Sequence, residues 1–233
     1  MHAIGRDRPR STHAMVFATQ STHKLLAGLS QASQILVQES QTRKLDRYRF
    51  NESYLMHTST SPQYAIIASC DVAASMMEAP GGTALVQESL QEARDFRRAM
   101  RKVEQEYDGS WWFRVWGPDN LSSGKALRQE EWMLHADEKW HGFGPVEPGF
   151  NMLDPIKATI ITPGLDMEGE FADTGIPAAV VTKYLAEHGV VVEKTGLYSF
   201  FVMFTIGITK GRWNTLMTAL QQFKDDCDKN QPL

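Results

Sequence analysis

The longest apolar run of the chain, FFVMFTI at residues 200–206, has the length of a single β-strand. A helix that crosses a bilayer needs about 18 or more apolar residues in succession, so the sequence predicts no transmembrane segment and no membrane partner. Residues 84–107 carry apolar side chains at helical spacing among charged ones, which is typical of an amphipathic helix. Strand-length and helix-length patterns that alternate in this way predict an α/β fold.

The charge balance excludes several classes of partner. The 233 residues include 24 basic and 28 acidic side chains, which are interleaved and give a net charge of -4. No basic stripe suits a phosphate backbone, so we expect no nucleic-acid partner. Residues 1–7 lack the apolar core of a signal peptide, and we expect a cytoplasmic protein. Cys70 and Cys227 are too few for a disulfide framework, and we expect both to be reduced and structural.

The first part of the chain is predicted to place a functional loop between two strands. Residues 14–19 form an apolar run rich in β-formers that stops at the polar segment 20–24, and residues 34–38 alternate as a strand does. Three helices are then predicted: one from Asp46 onward, a buried one over 64–77, and the long amphipathic one over 84–107.

A composition shift at about Asp108 is the predicted domain boundary. A turn signal lies there, aromatic side chains crowd into residues 111–116, and residues 117–129 are predicted to be a loop. The later pattern is the mixed order of a small α/β domain on a twisted sheet. Its predicted elements are strands at 156–162, 190–193 and 199–205 and helices at 176–188 and 212–229.

Lys24 follows a strand end and is preceded by Ser21, Thr22 and His23. Pyridoxal-phosphate (PLP) chemistry needs such residues together, because an ε-amine forms a Schiff base while hydroxyls and an imidazole can bind a phosphate. The same four residues are also typical of an ordinary surface lysine beside a serine that caps a helix. Composition alone leaves both interpretations open.

Longer segments carry more weight than these four residues. The sequences FATQSTHKLL at 17–26 and SQAS at 30–33 strongly resemble the cofactor-lysine segment of the bacterial ornithine/lysine/arginine decarboxylases. Further segments resemble the same family in the same order: 56–62, 140–143, 153–157, 162–164, 175–179 and 191–196. Residues 197–200 and 207–211, together with Glu193, look most like a lysine-preferring branch.

The resemblance implies the second half of a fold-type-I PLP-dependent transferase large domain, followed by a small α/β domain. Residues 1–108 would be the C-terminal half of the PLP-binding domain, and residues 109–233 an incomplete small domain. It further implies PLP as cofactor, a homodimer or higher homo-oligomer, and decarboxylation of a small-molecule amino acid. Lysine is the favoured substrate, with ornithine and arginine as the alternatives.

The resemblance also assigns roles to individual residues. Lys24 would hold PLP covalently, Ser21 and His23 would contact its phosphate, and His23 is placed to relay a proton. Ser59 falls where the family uses a hydroxyl from the partner subunit near the phosphate, although a serine before Pro62 is also ordinary turn chemistry. Glu193 would meet the distal ammonium of the substrate; a solvated glutamate after a strand is the alternative.

Two features bear on whether this chain can act alone. Family members are several times longer, and their preceding segment supplies the aspartate that faces the pyridine nitrogen, the histidine that stacks on the ring and the phosphate loop. We therefore weigh an enzyme against a catalytically inert fragment that only associates with a complementary or full-length chain. An aminotransferase also uses a Schiff-base lysine but fits the segments after Lys24 less well. His57, His135 and His141 lack metal-ligand spacing, so no metal is expected.

Overall fold

The computed structural model of the chain describes residues 13–118, 129–149 and 151–230. The chain divides into two compact units, Met1–Thr83 and Ala84–Leu233, which we call the first and second units. Most of the predicted loop at 117–129, together with residues 1–7, lies outside the described residues. The compact units divide the chain between Thr83 and Ala84, which is earlier than the domain boundary predicted at Asp108. The units are defined by compactness and not by function, so the boundary at Asp108 stays a prediction.

The first unit contains a two-stranded antiparallel sheet and helices. β1 (Val16–Gln20) pairs with β2 (Gln34–Gln38) so that Val16 lies opposite Gln38 and Gln20 opposite Gln34. The next helix begins where predicted, because the Asp46 carboxylate accepts from the amides of Tyr48 and Arg49, each at 3.1 Å. The elements are β1 (Val16–Gln20), α1 (Thr22–Leu25), β2 (Gln34–Gln38), α2 (Arg47–His57) and α3 (Tyr64–Met76).

The prediction of a buried helix over 64–77 is wrong in its burial, because that helix, α3, is mostly exposed. Of the residues in α3, Ala73 alone is buried, while Tyr64 is 77% and Val72 57% exposed. Apolar composition gives a helix a tendency to be covered, but burial requires another element against its apolar face. Within the described residues of the first unit, that covering element is not present for most of α3.

The second unit is an antiparallel sheet with three main helices. Its strands are β3 (Arg114–Val115), β4 (Lys157–Ile161), β5 (Lys194–Thr195) and β6 (Ser199–Met203). They lie in the order β3-β4-β6-β5, and Thr159 of β4 faces Phe201 of β6. The mixed α/β character predicted from the sequence is confirmed. The elements are α4 (Gly81–Glu106), which begins three residues before the unit boundary, β3 (Arg114–Val115), a 3-10 helix (Gln129–Trp132), β4 (Lys157–Ile161), α5 (Ala178–Glu187), β5 (Lys194–Thr195), β6 (Ser199–Met203) and α6 (Asn214–Asp228).

The strand predicted at 190–193 is wrong. None of these four residues lies in a strand, and the strand in this part of the chain is β5, Lys194–Thr195. The amide of Val190 donates to the Leu185 carbonyl at 2.9 Å, and Gly189 has a φ of 77°. These are the bonds and the left-handed residue of a helix C-terminal motif, which satisfies the last carbonyls of α5. The apolar residues that follow α5 therefore contribute to the end of this helix and do not extend the sheet.

The core of the second unit is rich in aromatic side chains. Phe223 of α6 is fully buried, and its ring centroid lies 5.2 Å from that of Tyr184 and 6.0 Å from that of Phe113. Phe96 of α4 similarly meets Phe204, with centroids 5.5 Å apart. Tilted and edge-to-face pairs of this kind add to the burial of apolar area. No helix in the part of the chain that the structure describes is both long enough and apolar enough to cross a membrane.

Tyr184 links α5 to α6 through a hydrogen bond. Its hydroxyl donates to Asp226 Oδ2 at 2.8 Å, while Gln222 donates to Asp226 Oδ1 at 2.7 Å. Burial, together with the nearby Asp226 carboxylate, raises the pKa of Tyr184 to about 12. The bonds from Tyr184 and Gln222 hold the pKa of Asp226 below its usual value.

We expect Tyr184→Phe to remove an alkaline loss of stability. The unfolded chain loses this tyrosine proton near pH 10 while the folded chain keeps it until about pH 12, so the free energy of unfolding falls as the pH rises through that window. Urea unfolding at about pH 9 and about pH 11 measures the slope. Tyr48→Phe, at a side chain that is 88% exposed, is the control and should keep the wild-type slope. A wild-type slope in Tyr184→Phe would contradict the assignment.

Candidate functional site

Lys24 lies in a tight turn that follows the first strand. β1 ends at Gln20, Ser21 precedes the short helix, and Lys24 is its third residue. The Lys24 amide donates to the Ser21 carbonyl at 3.1 Å and closes the turn. The Lys24 side chain is exposed and belongs to none of the ion pairs found among residues 13–118, 129–149 and 151–230. Its amine is therefore accessible to a ligand.

His23 is held in place by one backbone carbonyl. The carbonyl oxygen of Ala32 lies 2.9 Å from His23 Nδ1 and also accepts from the His23 amide at 3.1 Å. Ala32 is fully buried, so this carbonyl belongs to the packed part of the loop. The imidazole next to Lys24 therefore has a defined orientation.

The segment between Lys24 and β2 is a compact turn. The Ala32 amide donates to the Leu29 carbonyl at 2.9 Å, and the Leu29 amide donates to Ser69 Oγ of α3, also at 2.9 Å. Gly28 packs so closely that a Cβ there would lie 3.0 Å from the Cβ of Ala32. The turn is thus tied both to His23 and to a helix 40 residues further along the chain.

Ser59 lies in the bend that follows α2 and is exposed. Its hydroxyl oxygen accepts from the Ser61 amide at 3.1 Å, which is the local bond of an ordinary serine turn. Thr58 makes a similar local bond, from its hydroxyl to the Tyr54 carbonyl. The structure therefore shows turn chemistry at Ser59, and contact with a cofactor stays a prediction.

Glu193 belongs to the second unit and directly precedes β5. Its side chain is exposed, and its amide donates to the Phe201 carbonyl at 3.0 Å. The backbone is thus fixed against β6 while the carboxylate reaches solvent. Of the five predicted site residues, Ser21, His23 and Lys24 come together in and beside α1, whereas Ser59 and Glu193 lie on other segments.

Two of the other histidines singled out by the sequence, His57 and His141, have backbone partners for their rings. His141 is 5% exposed, and its two ring nitrogens lie 3.0 Å from the His135 carbonyl and 3.1 Å from the Phe143 amide. His57 Nδ1 contacts the Ser53 carbonyl within α2. Among the residues described, no three His, Cys, Asp or Glu side chains are grouped as a metal site would require.

A sequence profile described as "Orn/Lys/Arg decarboxylase, major domain" matches residues 2–212, which include the Lys24 turn and most of the second unit. The chain belongs to the Orn/Lys/Arg decarboxylase family. Lysine decarboxylase LdcA of Pseudomonas aeruginosa is 54% identical over 220 residues, which is 94% of this chain and 29% of that protein. The biodegradative arginine decarboxylase of Escherichia coli K12 is 44% identical over 94% of this chain and 31% of its own length.

Solved structures of Orn/Lys/Arg decarboxylases match the fold. Lysine decarboxylase A from Pseudomonas aeruginosa superposes with a TM-score of 0.88 at 52% identity, over 97% of this chain and 30% of that one. The Francisella novicida lysine decarboxylase LdcF gives a TM-score of 0.80 at 44% identity, over 93% and 29% of the two chains. The chain thus spans less than a third of the length of these decarboxylases.

Sequence reasoning missed the residues that support the turn at Lys24. Ser69 and the Ala32 carbonyl hold the loop after Lys24, yet neither carries a reactive group that a motif search would select. The close approach at Gly28 was the available signal, since a glycine between Lys24 and a strand indicates tight backbone packing. No local pattern pointed to Ser69, because its partner is so distant in sequence.

The described residues of the turn fit PLP chemically. Ser21 makes no capping bond to α1 with its side chain, so its hydroxyl remains available to a phosphate. Lys24 offers an exposed primary amine next to it, and His23 adds an imidazole. An amine, a hydroxyl and an imidazole within four residues are donors suited to an aldehyde and a phosphate on one small molecule.

Proposed function

We propose that the chain carries the cofactor-lysine segment of a PLP-dependent decarboxylase of basic amino acids, and that Lys24 is that lysine. The observation that carries the proposal is the exposed amine of Lys24. One turn before it lies the hydroxyl of Ser21, which makes no capping bond, and next to it lies the ring of His23, which is oriented by the Ala32 carbonyl. Membership of the Orn/Lys/Arg decarboxylase family supports the same chemistry.

PLP, when bound, would supply a ring that can accept the electron pair left when the carboxylate is lost as carbon dioxide. Lys24 would hold the cofactor through its ε-amine, and the Ser21 hydroxyl and His23 imidazole would bind its phosphate. Ser59 is the third proposed phosphate contact, acting across a subunit interface. His23 would also move a proton through a ring nitrogen.

Lysine is the proposed substrate, with ornithine and arginine as alternatives. Relatives named as lysine decarboxylases are 54% and 45% identical to this chain, whereas a constitutive ornithine decarboxylase of Escherichia coli is 33% identical. Glu193 is the proposed contact for the distal ammonium group, because an exposed carboxylate can pair with a cation at the end of an extended substrate.

The proposed architecture is the second half of a fold-type-I large domain followed by a small α/β domain from residue 109. We also propose that the protein acts in the cytoplasm as a homodimer or a higher homo-oligomer. The high similarity to solved decarboxylases over 97% of the chain supports this architecture.

The alternative is a catalytically inert chain that only associates with a complementary or full-length one. A specific observation favours keeping it. In the described part of the first unit, the only buried apolar residues are Ala32 and Ala73, while Val16, Phe17, Ile35 and Leu36 of the sheet are each 41–53% exposed. A sheet with apolar side chains exposed to this extent gains little from burial on its own.

The test is covalent trapping of PLP on the full chain, followed by peptide mapping. We expect borohydride to fix PLP on Lys24, and we expect Lys24→Arg to lower the total label at least about tenfold, because a guanidinium does not form the linkage at neutral pH. Lys44→Arg is the matched control: Lys44 is an exposed lysine of the same unit, paired with Glu39 at 3.2 Å, and its substitution should leave the label unchanged. Label scattered over many lysines would support the inert alternative.

A further inference from the structure

The bond between His23 and Ala32 defines which ring nitrogen carries a proton. Nδ1 lies 2.9 Å from the Ala32 oxygen, and a carbonyl oxygen only accepts hydrogen bonds. Nδ1 must therefore be the donor, whether the ring is neutral or charged. In the neutral ring this leaves Nε2 as the nitrogen with a free lone pair.

A continuous series of hydrogen bonds connects this carbonyl to α3. The Ala32 amide donates to Leu29 O, the Leu29 amide donates to Ser69 Oγ, and the Ser69 hydroxyl donates to Ile66 O at 2.7 Å. The Ser69 hydroxyl thus donates a hydrogen bond to its own helix and accepts one from the loop. The position of the Ala32 carbonyl depends on the helix through this one side chain.

Packing restricts the same peptide. Ala32 is fully buried, and Gly28 leaves its side chain no spare room, since a Cβ at 28 would stand 3.0 Å from Ala32 Cβ. Gln31, directly before Ala32, has a φ of 76°, which turns the chain so that both the amide and the carbonyl of Ala32 face the loop. Hydrogen bonding and packing together fix the direction of the carbonyl.

We propose that Ser69 and Gly28 are positioning residues that act through Ala32 to hold His23 as the Nδ1–H tautomer. Nε2 is then the nitrogen that exchanges a proton with a bound phosphate or substrate. The use of Nε2 rests on the proposed function, whereas the tautomer follows from the geometry of the chain alone. Neither residue is part of the set Lys24, Ser21, His23, Ser59 and Glu193 proposed to touch the ligands.

The experiment is nitrogen-15 NMR of the full chain labelled at histidine, without PLP, at about pH 9. The signals of His23 are identified by their absence in His23→Asn. We expect wild-type His23 to be protonated at Nδ1, although free imidazole side chains favour Nε2. Ser69→Ala should raise the Nε2–H population of His23 several-fold, because the Leu29 amide loses its acceptor.

Two variants make the result specific to the Ser69 hydroxyl. Ser69→Thr keeps an acceptor oxygen and should retain the wild-type tautomer, as should Ser75→Ala at an exposed serine of the same helix. Should Ser69→Ala fail to fold, Gly28→Ala provides the same test by pressing on Ala32, with the same expected rise in Nε2–H.

Two outcomes overturn the proposal. Protonation of wild-type His23 at Nε2 removes its basis, and an unchanged tautomer in a folded Ser69→Ala variant removes the role of Ser69. Because PLP is absent from this measurement, its result is independent of the trapping experiment. An Nδ1–H tautomer combined with no label on Lys24 would leave the positioning intact and reject the proposed function instead.

Discussion

Arg97→Met is expected to lower the free energy of unfolding of the second unit by about 3–5 kcal/mol. Arg97 of α4 is 4% exposed, and its two terminal nitrogens donate to Trp116 O at 3.1 Å and to Lys157 O at 2.8 Å. These bonds join the long helix to the chain at β3 and β4. A methionine fills much of the same volume but leaves two carbonyls without their donor.

The size of the effect follows from opposing terms. Burial lowers the pKa of Arg97 to about 10, with Asp154 acting in the opposite direction, so the guanidinium stays charged at neutral pH but carries a desolvation cost. Its Nε is buried without a partner among the described residues, which further reduces what the wild-type side chain contributes. Two charge-assisted bonds of about 1.5–3 kcal/mol each outweigh these costs, which sets the expected range.

Urea unfolding followed by tryptophan fluorescence measures this change. Lys102→Met is the control on the same helix, since Lys102 is 76% exposed in its side chain and pairs with Glu106 only at 3.6 Å. We expect that control to stay within about 0.5 kcal/mol of wild type. A loss below about 1 kcal/mol in Arg97→Met would show that the helix is held to the sheet mainly by apolar packing.

Local signals in the sequence predicted those elements whose boundaries depend on nearby residues. The strand at Gln34–Gln38 and the helix start at Asp46 both follow from alternation or from a capping carboxylate. The apolar residues at 190–192 misled the prediction because Gly189 has a positive φ and the amide of Val190 bonds to the end of a helix. That outcome depends on one left-handed residue and not on hydropathy.

The candidate site shows the same division between local and distant information. The Lys24 turn follows directly from residues 17–26, since each of its reactive groups is contiguous in sequence. The support of His23 could not be predicted, because it depends on a backbone carbonyl nine residues away and on Ser69, 40 residues from its partner. Backbone acceptors are the same for every residue type, so no motif distinguishes the one at Ala32.

Amide hydrogen exchange is expected to separate the two units strongly. β1 and β2 are paired along five residues each, but their apolar side chains are largely exposed, whereas β4 and β6 cover a core that includes the buried Ile160 and Phe200. We expect opening free energies of about 1–2 kcal/mol for the first sheet and of about 5 kcal/mol or more for the second. Exchange should therefore be on the order of a thousandfold faster in β1 and β2.

This difference bears directly on the inert alternative. An opening cost of about 1–2 kcal/mol leaves the closed turn predominant, so Lys24 can still be labelled and His23 still shows its tautomer, but the site opens often. Binding of a complementary chain over the exposed apolar residues would slow exchange in β1 and β2 while leaving β4 and β6 unchanged. Equal protection of both sheets in the isolated chain would contradict this, because it would mean that the first unit is stable without any further cover. In that case the exposed residues Val16, Phe17, Ile35 and Leu36 would no longer favour an obligatory partner.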